Sequence, residues 1–207
     1  MAFSSLSRTV LAAALLTSVA FPAVADGSFY IRGFGGASML SDTDLSGVTP
    51  GDTGFDRGQI LGGAIGYDYA GSPFRSEIEY AYRTGDADGG AGVRGDFAST
   101  TLAVNGYYDF APRAGGRVTP YLGAGLAYVT EVDFDVEGGS APGEYNDTGS
   151  IGFQIMLGAA YALSERWSVN GELRYFDAGR QDLSGPGGRL KADYQTVDLI
   201  IGTTFTF

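Results

Sequence analysis

The sequence contains no cysteine and no histidine. Thiol catalysis, serine–histidine triads and the common zinc sites therefore lack their essential side chains. Basic residues are also few, because 13 lysines and arginines stand against 24 acids, which gives a net charge of −11. Such an acidic chain is unsuited to binding a phosphate backbone. The composition excludes most enzyme classes and predicts that nucleic acid is not a partner.

Long apolar runs are missing after the first 25 residues. Those residues contain Arg8 near the start, an apolar stretch at 10–16 and the small-residue sequence Ala23-Val24-Ala25, a pattern typical of a secretory signal peptide. We expect a signal peptide over residues 1–25, cleaved after Ala25, and one domain over residues 26–207. The apolar stretch is too short for a stop-transfer helix, so any membrane crossing must use strands.

Apolar and polar residues alternate with a period of two in eight segments, which is the pattern of half-buried strands. In the third segment Ile78, Tyr80 and Tyr82 alternate with Glu77 and Glu79, so that one face is apolar and the other charged. The final segment ends the chain with alternating branched and aromatic residues. The predicted strands are residues 29–39, 59–69, 74–83, 99–110, 118–129, 151–162, 167–177 and 197–207.

The connections between these strands alternate between long and short. The short ones, at residues 70–73, 111–117 and 163–166, follow the second, fourth and sixth strands. Long polar loops are expected after the odd-numbered strands, at residues 41–56, 84–96, 133–149 and 178–191. This arrangement predicts an all-β fold, an eight-stranded antiparallel up-and-down transmembrane β-barrel with short periplasmic turns and long extracellular loops.

Alternation alone does not say which face of a barrel is inside, and a soluble barrel would turn its apolar face inward. Two features favour a membrane barrel in which that face meets lipid. Charged residues occupy mid-strand positions on the opposite face, and aromatic residues gather at the strand ends next to the short connections, where an interfacial girdle is expected. The girdle residues are Tyr69, Phe74, Phe110, Tyr161, Trp167 and Phe207.

The polar face then fills the interior, because eight strands enclose only enough space for side chains. Buried charges need partners, so we expect acids and bases to be matched there. One alternative is a static network that satisfies buried charge, and another is a gate for ions. The predicted interior polar network comprises Arg32, Arg75, Glu77, Glu79, Asn105, Glu172, Arg174 and Asp198, with Arg83, Asp109 and Gln154 on the same face.

Three stretches and the last residue carry a resemblance to a known family. They are Arg-Ser-Glu-Ile-Glu-Tyr at 75–80, Val-Asn-Gly-Tyr-Tyr-Asp-Phe at 104–110, Pro-Tyr-Leu-Gly-Ala-Gly at 120–125 and the terminal Phe207. The chain resembles the small outer-membrane β-barrels grouped around the OmpA transmembrane domain, OmpX and the opacity-type surface proteins. This resemblance implies a location in the Gram-negative outer membrane. It also implies an assembly signal made of Val197, Leu199, Ile201, Phe205 and Phe207.

The expected role is structural or surface-directed, such as adhesion or envelope integrity, through long acidic extracellular loops. The alternative is a small low-conductance porin-like channel gated by interior salt bridges. A hydrolase run by carboxylates alone is the third hypothesis, and we expect no enzyme activity, catalytic residue, cofactor or metal centre. The acidic loops could hold Ca²⁺ or Mg²⁺ weakly, since Asp86-Ala87-Asp88-Gly89-Gly90 resembles part of a calcium loop. Expected partners are outer-membrane lipid, lipopolysaccharide, the assembly machinery and an extracellular or host molecule. We expect the protein to be a monomer.

Overall fold

The structure is a computed structural model in which strands account for most of the described chain. It describes residues 27–40, 43–47, 51–55, 57–89, 93–113, 115–137, 143–147, 149–185 and 188–207. The proposed signal peptide and its cleavage site lie outside the described residues. In the described part there is no helix long and apolar enough to span a membrane.

The strands number eleven in chain order. They are β1 (Ser28–Leu40), β2 (Thr43–Gly47), β3 (Gly51–Phe55), β4 (Arg57–Asp68), β5 (Phe74–Gly89), β6 (Val93–Asp109), β7 (Val118–Glu137), β8 (Gly143–Asp147), β9 (Ser150–Ala162), β10 (Trp167–Gly185) and β11 (Gly188–Thr206).

Eight of these strands close into a barrel. Strands β1, β4, β5, β6, β7, β9, β10 and β11 each pair antiparallel with the next. The last strand returns to the first, in register from Tyr30 opposite Thr206 to Leu40 opposite Thr196. Closure pairs the backbone of every strand on both sides, which removes the exposed edges of an open sheet. The predicted eight-stranded antiparallel barrel is confirmed.

The apolar face of the wall points outward. Ile65, Ile78, Val104 and Leu126 lie side by side across β4, β5, β6 and β7. Their side chains are 60–65% exposed, although they occupy the middle of the wall. The charged residues that flank Ile78 along the chain are buried inside. This is the orientation of a barrel solvated by lipid, in which apolar side chains cover the outer surface.

The long connections contain far more regular structure than the sequence indicates. Strands β5 and β6 remain paired as far as Gly89 opposite Val93, and β10 and β11 as far as Gly185 opposite Gly188. The predictions of loops at residues 84–96 and 178–191 are therefore wrong. The apolar alternation stops there, whereas the backbone ladder continues, because hydrogen bonds between strands do not require an apolar face.

Three short strands complete this extension of the wall. Strand β2 pairs with β11 and β3, and β3 pairs with β5. Strand β8 pairs with β7 along its length and with β10 at Ser184 opposite Asn146. Above the point where β1, β4 and β9 end, the order β11-β2-β3-β5-β6-β7-β8-β10 again contains eight strands. The predictions of loops at 41–56 and 133–149 missed these strands.

Large inward side chains are accommodated by glycines on the neighbouring strand. Six of them lie directly opposite a glycine in the strand register, and a Cβ atom added to any of these glycines would overlap the facing side chain. Glycine is therefore required here for close approach rather than for turns. The pairs are Tyr30 with Gly66, Phe34 with Gly62, Asn105 with Gly125, Tyr107 with Gly123, Tyr121 with Gly158 and Asn170 with Gly202.

Candidate functional site

The interior polar face is the candidate functional site, because it gathers the charged side chains that alternate with the lipid-facing residues. The structure places all eight predicted residues inside the barrel. Seven of them are buried, while the side chain of Arg75 remains 12% exposed. The buried seven are Arg32, Glu77, Glu79, Asn105, Glu172, Arg174 and Asp198.

Two arginines and two glutamates form the centre of the site. Arg174 donates to Glu79 from Nη1 at 2.6 Å and to Glu172 from Nη2 at 2.8 Å. Arg32 approaches the same two carboxylates, at 2.9 Å from Glu79 and 3.1 Å from Glu172. The four charges alternate in sign around a ring, and their side chains are at most 2% exposed. The ring ties β1, β5 and β10 together across the lumen.

Arg75 covers this ring on the side of the short turns. Its Nε donates to both carboxylate oxygens of Asp109 at 3.1 Å, and its Nη1 donates to Glu77 at 3.0 Å. The guanidinium carbon lies 3.9 Å from the ring centroid of Tyr107 and 4.8 Å from that of Tyr121. Cation–π contact of this kind adds to the ion pairs when the site is shielded from water.

Tyrosine hydroxyls add a second donor to carboxylate oxygens that already face an arginine. Tyr30 donates to Glu77 at 2.9 Å, Tyr107 donates to Glu77 at 3.1 Å, and Tyr121 donates to Glu172 at 2.9 Å. Sequence reasoning missed these three tyrosines as members of the site. The sequence could have identified them, because each lies an even number of positions from a polar or small residue of the inward face on the same strand.

Two amides extend the site towards β9. Gln154 Nε2 donates to Asn105 Oδ1 at 2.6 Å, and Asn105 Nδ2 donates to Glu79 at 3.4 Å. The amide pair thereby continues the hydrogen bonding of the central ring to a strand that supplies no charge to it.

Asp198 belongs to a second, separate cluster. Its Oδ2 accepts from Arg83 Nε at 3.1 Å and Nη2 at 2.9 Å, and its Oδ1 accepts from Ser38 at 2.6 Å. Ala81 lies between Glu79 and Arg83 along β5, and it packs with an apolar group inside the barrel. That group, Phe34, Ile60, Ala81 and Ile200, separates the two polar clusters.

A vestibule of about 200 Å³ opens at the short-turn end of the barrel. Tyr30, Arg32, Arg75 and Tyr121 of the polar site contribute to its wall, together with hydroxyl side chains near the rim. Beyond these residues the interior is filled by the buried ring and the apolar group. The vestibule therefore ends at the polar site rather than crossing the barrel.

The central carboxylates are closed to acid–base chemistry, because Glu77, Glu79 and Glu172 are each paired with arginine and almost fully buried. Asp68 and Asp109 line the vestibule, where Asp109 is bound to Arg75. Among the described residues, no group of three or more potential ligands could hold a metal ion. For the acids at 42–56, 86–96 and 133–147 the structure describes at most the backbone and not the side chains. Weak binding of Ca²⁺ or Mg²⁺ by these loops stays a prediction.

Comparison with known proteins identifies the family. Residues 9–207 match the family model described as the outer membrane protein beta-barrel domain. The chain belongs to this family. Outer membrane protein PagN of Salmonella typhimurium is 30% identical over 146 residues, a match that covers 60% of each chain. The chain thus aligns with about three fifths of the length of PagN.

Solved structures of outer-membrane barrels share the fold. Neisserial surface protein A superposes with a TM-score of 0.58 at 20% identity, over 88% of this chain and 99% of the other. OprG of Pseudomonas aeruginosa gives a TM-score of 0.56 at 21% identity, over 86% and 96%. The expectation of a small outer-membrane β-barrel is confirmed. Bacterial outer-membrane barrels have short periplasmic turns and longer extracellular connections, and we expect the same orientation for this outer membrane protein beta-barrel domain.

The outer surface of the domain carries the predicted girdle and the predicted assembly signal. All six girdle aromatics are exposed, and the ring of Trp167 lies 4.9 Å from that of Phe205. Leu199, Ile201 and Phe207 are 56–73% exposed, and Val197 and Phe205 are half-buried on the same face of β11. A role of these five residues in assembly stays a prediction.

Proposed function

We propose that this protein is a closed, non-enzymatic outer-membrane scaffold whose extended wall contacts an extracellular partner. The observation that carries the proposal is the filled interior. The central ring of Arg32, Glu79, Glu172 and Arg174 occupies the lumen with matched charge, and the buried apolar group around Phe34 follows it. A barrel whose lumen is blocked in this way functions through its outer surface.

The cost of opening supports a static interior. An ion that crosses the barrel would first have to separate Arg174 from two carboxylates. It would then have to pass the apolar group and separate Arg83 from Asp198. Uncompensated buried charge costs several kcal/mol for each ion. The ion pairs of the central ring therefore favour a static structural role over that of an ion gate.

The absence of a suitable reactive group supports the non-enzymatic part of the proposal. The chain has no cysteine or histidine, the carboxylates of the central ring are buried and held by arginine and tyrosine, and Asp109 at the vestibule is bound to Arg75. A reaction run by carboxylates needs at least one that reaches its substrate.

The extracellular side supplies the surface for a partner. Here the wall continues beyond the lipid as an eight-stranded tube, and 13 of the 24 acids lie in residues 42–56, 86–96 and 131–147. Charge of one sign favours a partner with a basic surface and steers its approach. Neisserial surface protein A, a structural neighbour, is by its name a protein of the cell surface as well.

Trimming the tube tests this proposal. In one variant the ends of the β5–β6 and β10–β11 hairpins, residues 86–96 and 181–192, are each replaced by a two-residue Asn-Gly turn, so that Gly85 still faces Phe97 and Arg180 still faces Asp193. Bacteria that display the trimmed barrel should lose adhesion to cultured epithelial cells or resistance to detergent, whereas the folded barrel should still migrate faster unboiled than boiled. Unchanged adhesion and unchanged detergent resistance, with equal surface amounts, would contradict the proposal.

A small channel is the second candidate, and the vestibule is the observation that favours it. Planar bilayers separate the two functions. A scaffold should give no current steps, as wild type and as Glu79→Ala or Arg174→Ala. Steps in the wild type that change in either variant would establish the gated channel.

A further inference from the structure

The short-turn rim carries the opposite charge to the rest of this acidic protein. Residues 70–73, 110–117 and 163–166 contain three arginines, Arg113, Arg117 and Arg166, and one acid, Glu165. The whole chain has a net charge of −11, and Asp68 and Asp109 lie at the ends of the neighbouring strands, so the excess of positive charge belongs to the turns themselves. A charge reversal confined to one end of a membrane barrel indicates a different environment at that end.

These three arginines are exposed and have no carboxylate partner among the described residues. The arginines of the interior behave differently. Arg32, Arg75, Arg83 and Arg174 each hold at least one carboxylate within 3.1 Å. Asp109, the half-buried acid at the end of β6, is bound to Arg75. The rim cations are therefore available to an external anion.

The backbone places the three arginines on one arc. Arg113 and Val118 form a bridge between β6 and β7 at the second turn. The carbonyl of Arg117 accepts from Ala162 at the end of β9, at 2.9 Å, and the carbonyl of Arg166 accepts from Thr206 on β11, at 2.9 Å. The remaining turn, residues 70–73, carries no charge. The arc runs from β6 to β11.

Aromatic side chains fix the height of this arc in the membrane. Arg117 Nη1 lies 3.5 Å from the hydroxyl of Tyr161, and Arg166 directly precedes Trp167. Both aromatic side chains are exposed, at 41% and 47%. Tyrosine and tryptophan on a barrel surface mark the boundary between hydrocarbon and head groups. The Arg117 guanidinium beside Tyr161 is therefore at the level of the lipid phosphates, and Arg166 lies in the turn directly before Trp167.

We propose that Arg113, Arg117 and Arg166, with Tyr161 and Trp167, form a binding site for the phosphate of anionic phospholipids in the periplasmic leaflet. Guanidinium groups bind phosphate oxygens by paired, charge-assisted hydrogen bonds. The aromatic side chains supply the apolar surface for the adjoining glycerol and upper acyl chain. Zwitterionic lipids carry a compensating ammonium group, so the site distinguishes phosphatidylglycerol from phosphatidylcholine.

Trp167 provides the measurement, because it is the single tryptophan of the chain and lies within the site. The folded protein is reconstituted in phosphatidylcholine vesicles in which a fraction of one lipid carries brominated acyl chains that quench tryptophan fluorescence. At equal mole fraction, brominated phosphatidylglycerol should quench Trp167 more than brominated phosphatidylcholine, with a relative binding constant of roughly 3. Salt at 0.5 M should reduce this preference.

Two sets of variants test the residues. Arg113→Gln, Arg117→Gln and Arg166→Gln together should bring the relative binding constant to about 1, whereas Glu165→Gln, next to Arg166, should keep or increase it. Unboiled and boiled gel mobility checks that each variant is folded. Equal quenching by the two lipids in the wild type would overturn the proposal, and so would a preference that survives in the triple variant. The comparison of the two brominated lipids in the wild type tests the proposal even if a variant fails to fold.

Discussion

The phenol ring of Tyr107 on β6 fills the space in which Gly123, its cross-strand partner on β7, would carry a side chain. A Cβ atom on Gly123 would lie 2.5 Å from Cδ1 and 2.6 Å from Cε1 of that ring. The ring is nearly fully buried and makes an edge contact with Tyr121 at 5.7 Å between centroids. The position of the tyrosine therefore depends on the absence of a methyl group on its neighbour.

Gly123→Ala should destabilise the barrel by about 1–3 kcal/mol, since the added methyl group overfills a packed interior. Gly106→Ala is the matched control, because a Cβ at Gly106 on the outer face would meet no atom within 4 Å. The free energy of unfolding is measured by urea titration in detergent, with Trp167 fluorescence as the signal. Equal stability of both variants would show that the interior relaxes around the methyl group.

Arg174→Ala should lower the free energy of unfolding by about 3–5 kcal/mol, because it leaves Glu79 and Glu172 with less compensation in a buried site. Arg117→Ala, which removes an exposed guanidinium, should change it by no more than about 0.5 kcal/mol in neutral detergent. The same urea titration compares the two. A loss below about 1 kcal/mol for Arg174→Ala would mean that water compensates the carboxylates.

Asp198→Ala should destabilise the upper cluster, since Arg83 would keep its charge inside the barrel without the carboxylate 2.9 Å away. Adding Arg83→Met removes that unpaired charge, so the double variant should recover part of the lost free energy. A double-mutant cycle on urea midpoints measures this coupling. Strictly additive losses would indicate that the two side chains are stabilised independently.

Leu126→Arg should cost roughly 2–4 kcal/mol, because the side chain faces lipid in the middle of the wall. Phe110→Arg, at the rim next to a short turn, should cost about 0–1 kcal/mol by the same reasoning. Refolding into vesicles under urea measures both variants. If the two costs were equal, the middle row would not lie at the membrane centre.

Removal of Phe207 should reduce the amount of folded protein in the outer membrane while leaving refolding in detergent nearly unchanged. The side chain is 69% exposed and contributes little to interior packing, although its backbone N–H donates to Phe29 at 3.0 Å. Phe207→Tyr keeps an aromatic terminus and serves as the control. A parallel loss in detergent would indicate a packing role instead of an assembly signal.

Within the membrane the sequence is sufficient to predict the strands, because lipid outside and charge inside impose a strict alternation on residues such as Ile78 and Glu79. The same alternation predicts which charged residues point inward. It does not predict that Asp198 pairs with Arg83 rather than with the central ring, since the tilt and register of distant strands decide which side chains meet. The sequence likewise does not predict which glycine lies opposite which large inward side chain, because that depends on how two strands are aligned with each other.

Outside the membrane the prediction fails for a physical reason. Strand β5 continues past Arg83 to Gly89, and β10 continues to Gly185. Lipid no longer covers the outer face of the wall there, so an apolar alternation is no longer needed. What remains is hydrogen bonding between backbones, and it leaves little trace in the order of side chains.

The tube above the membrane keeps eight strands although three of the membrane strands have ended and been replaced. The diameter of the tube is thereby preserved, and the ends of its hairpins, here called the tips, are held at a fixed distance from the bilayer. Six residues from Arg83 to Gly89 rise about 15 Å at the spacing and tilt usual for barrel strands. A molecule that docks on the tips is kept clear of the lipid head groups, and a pulling force on them passes along continuous strands into the embedded barrel.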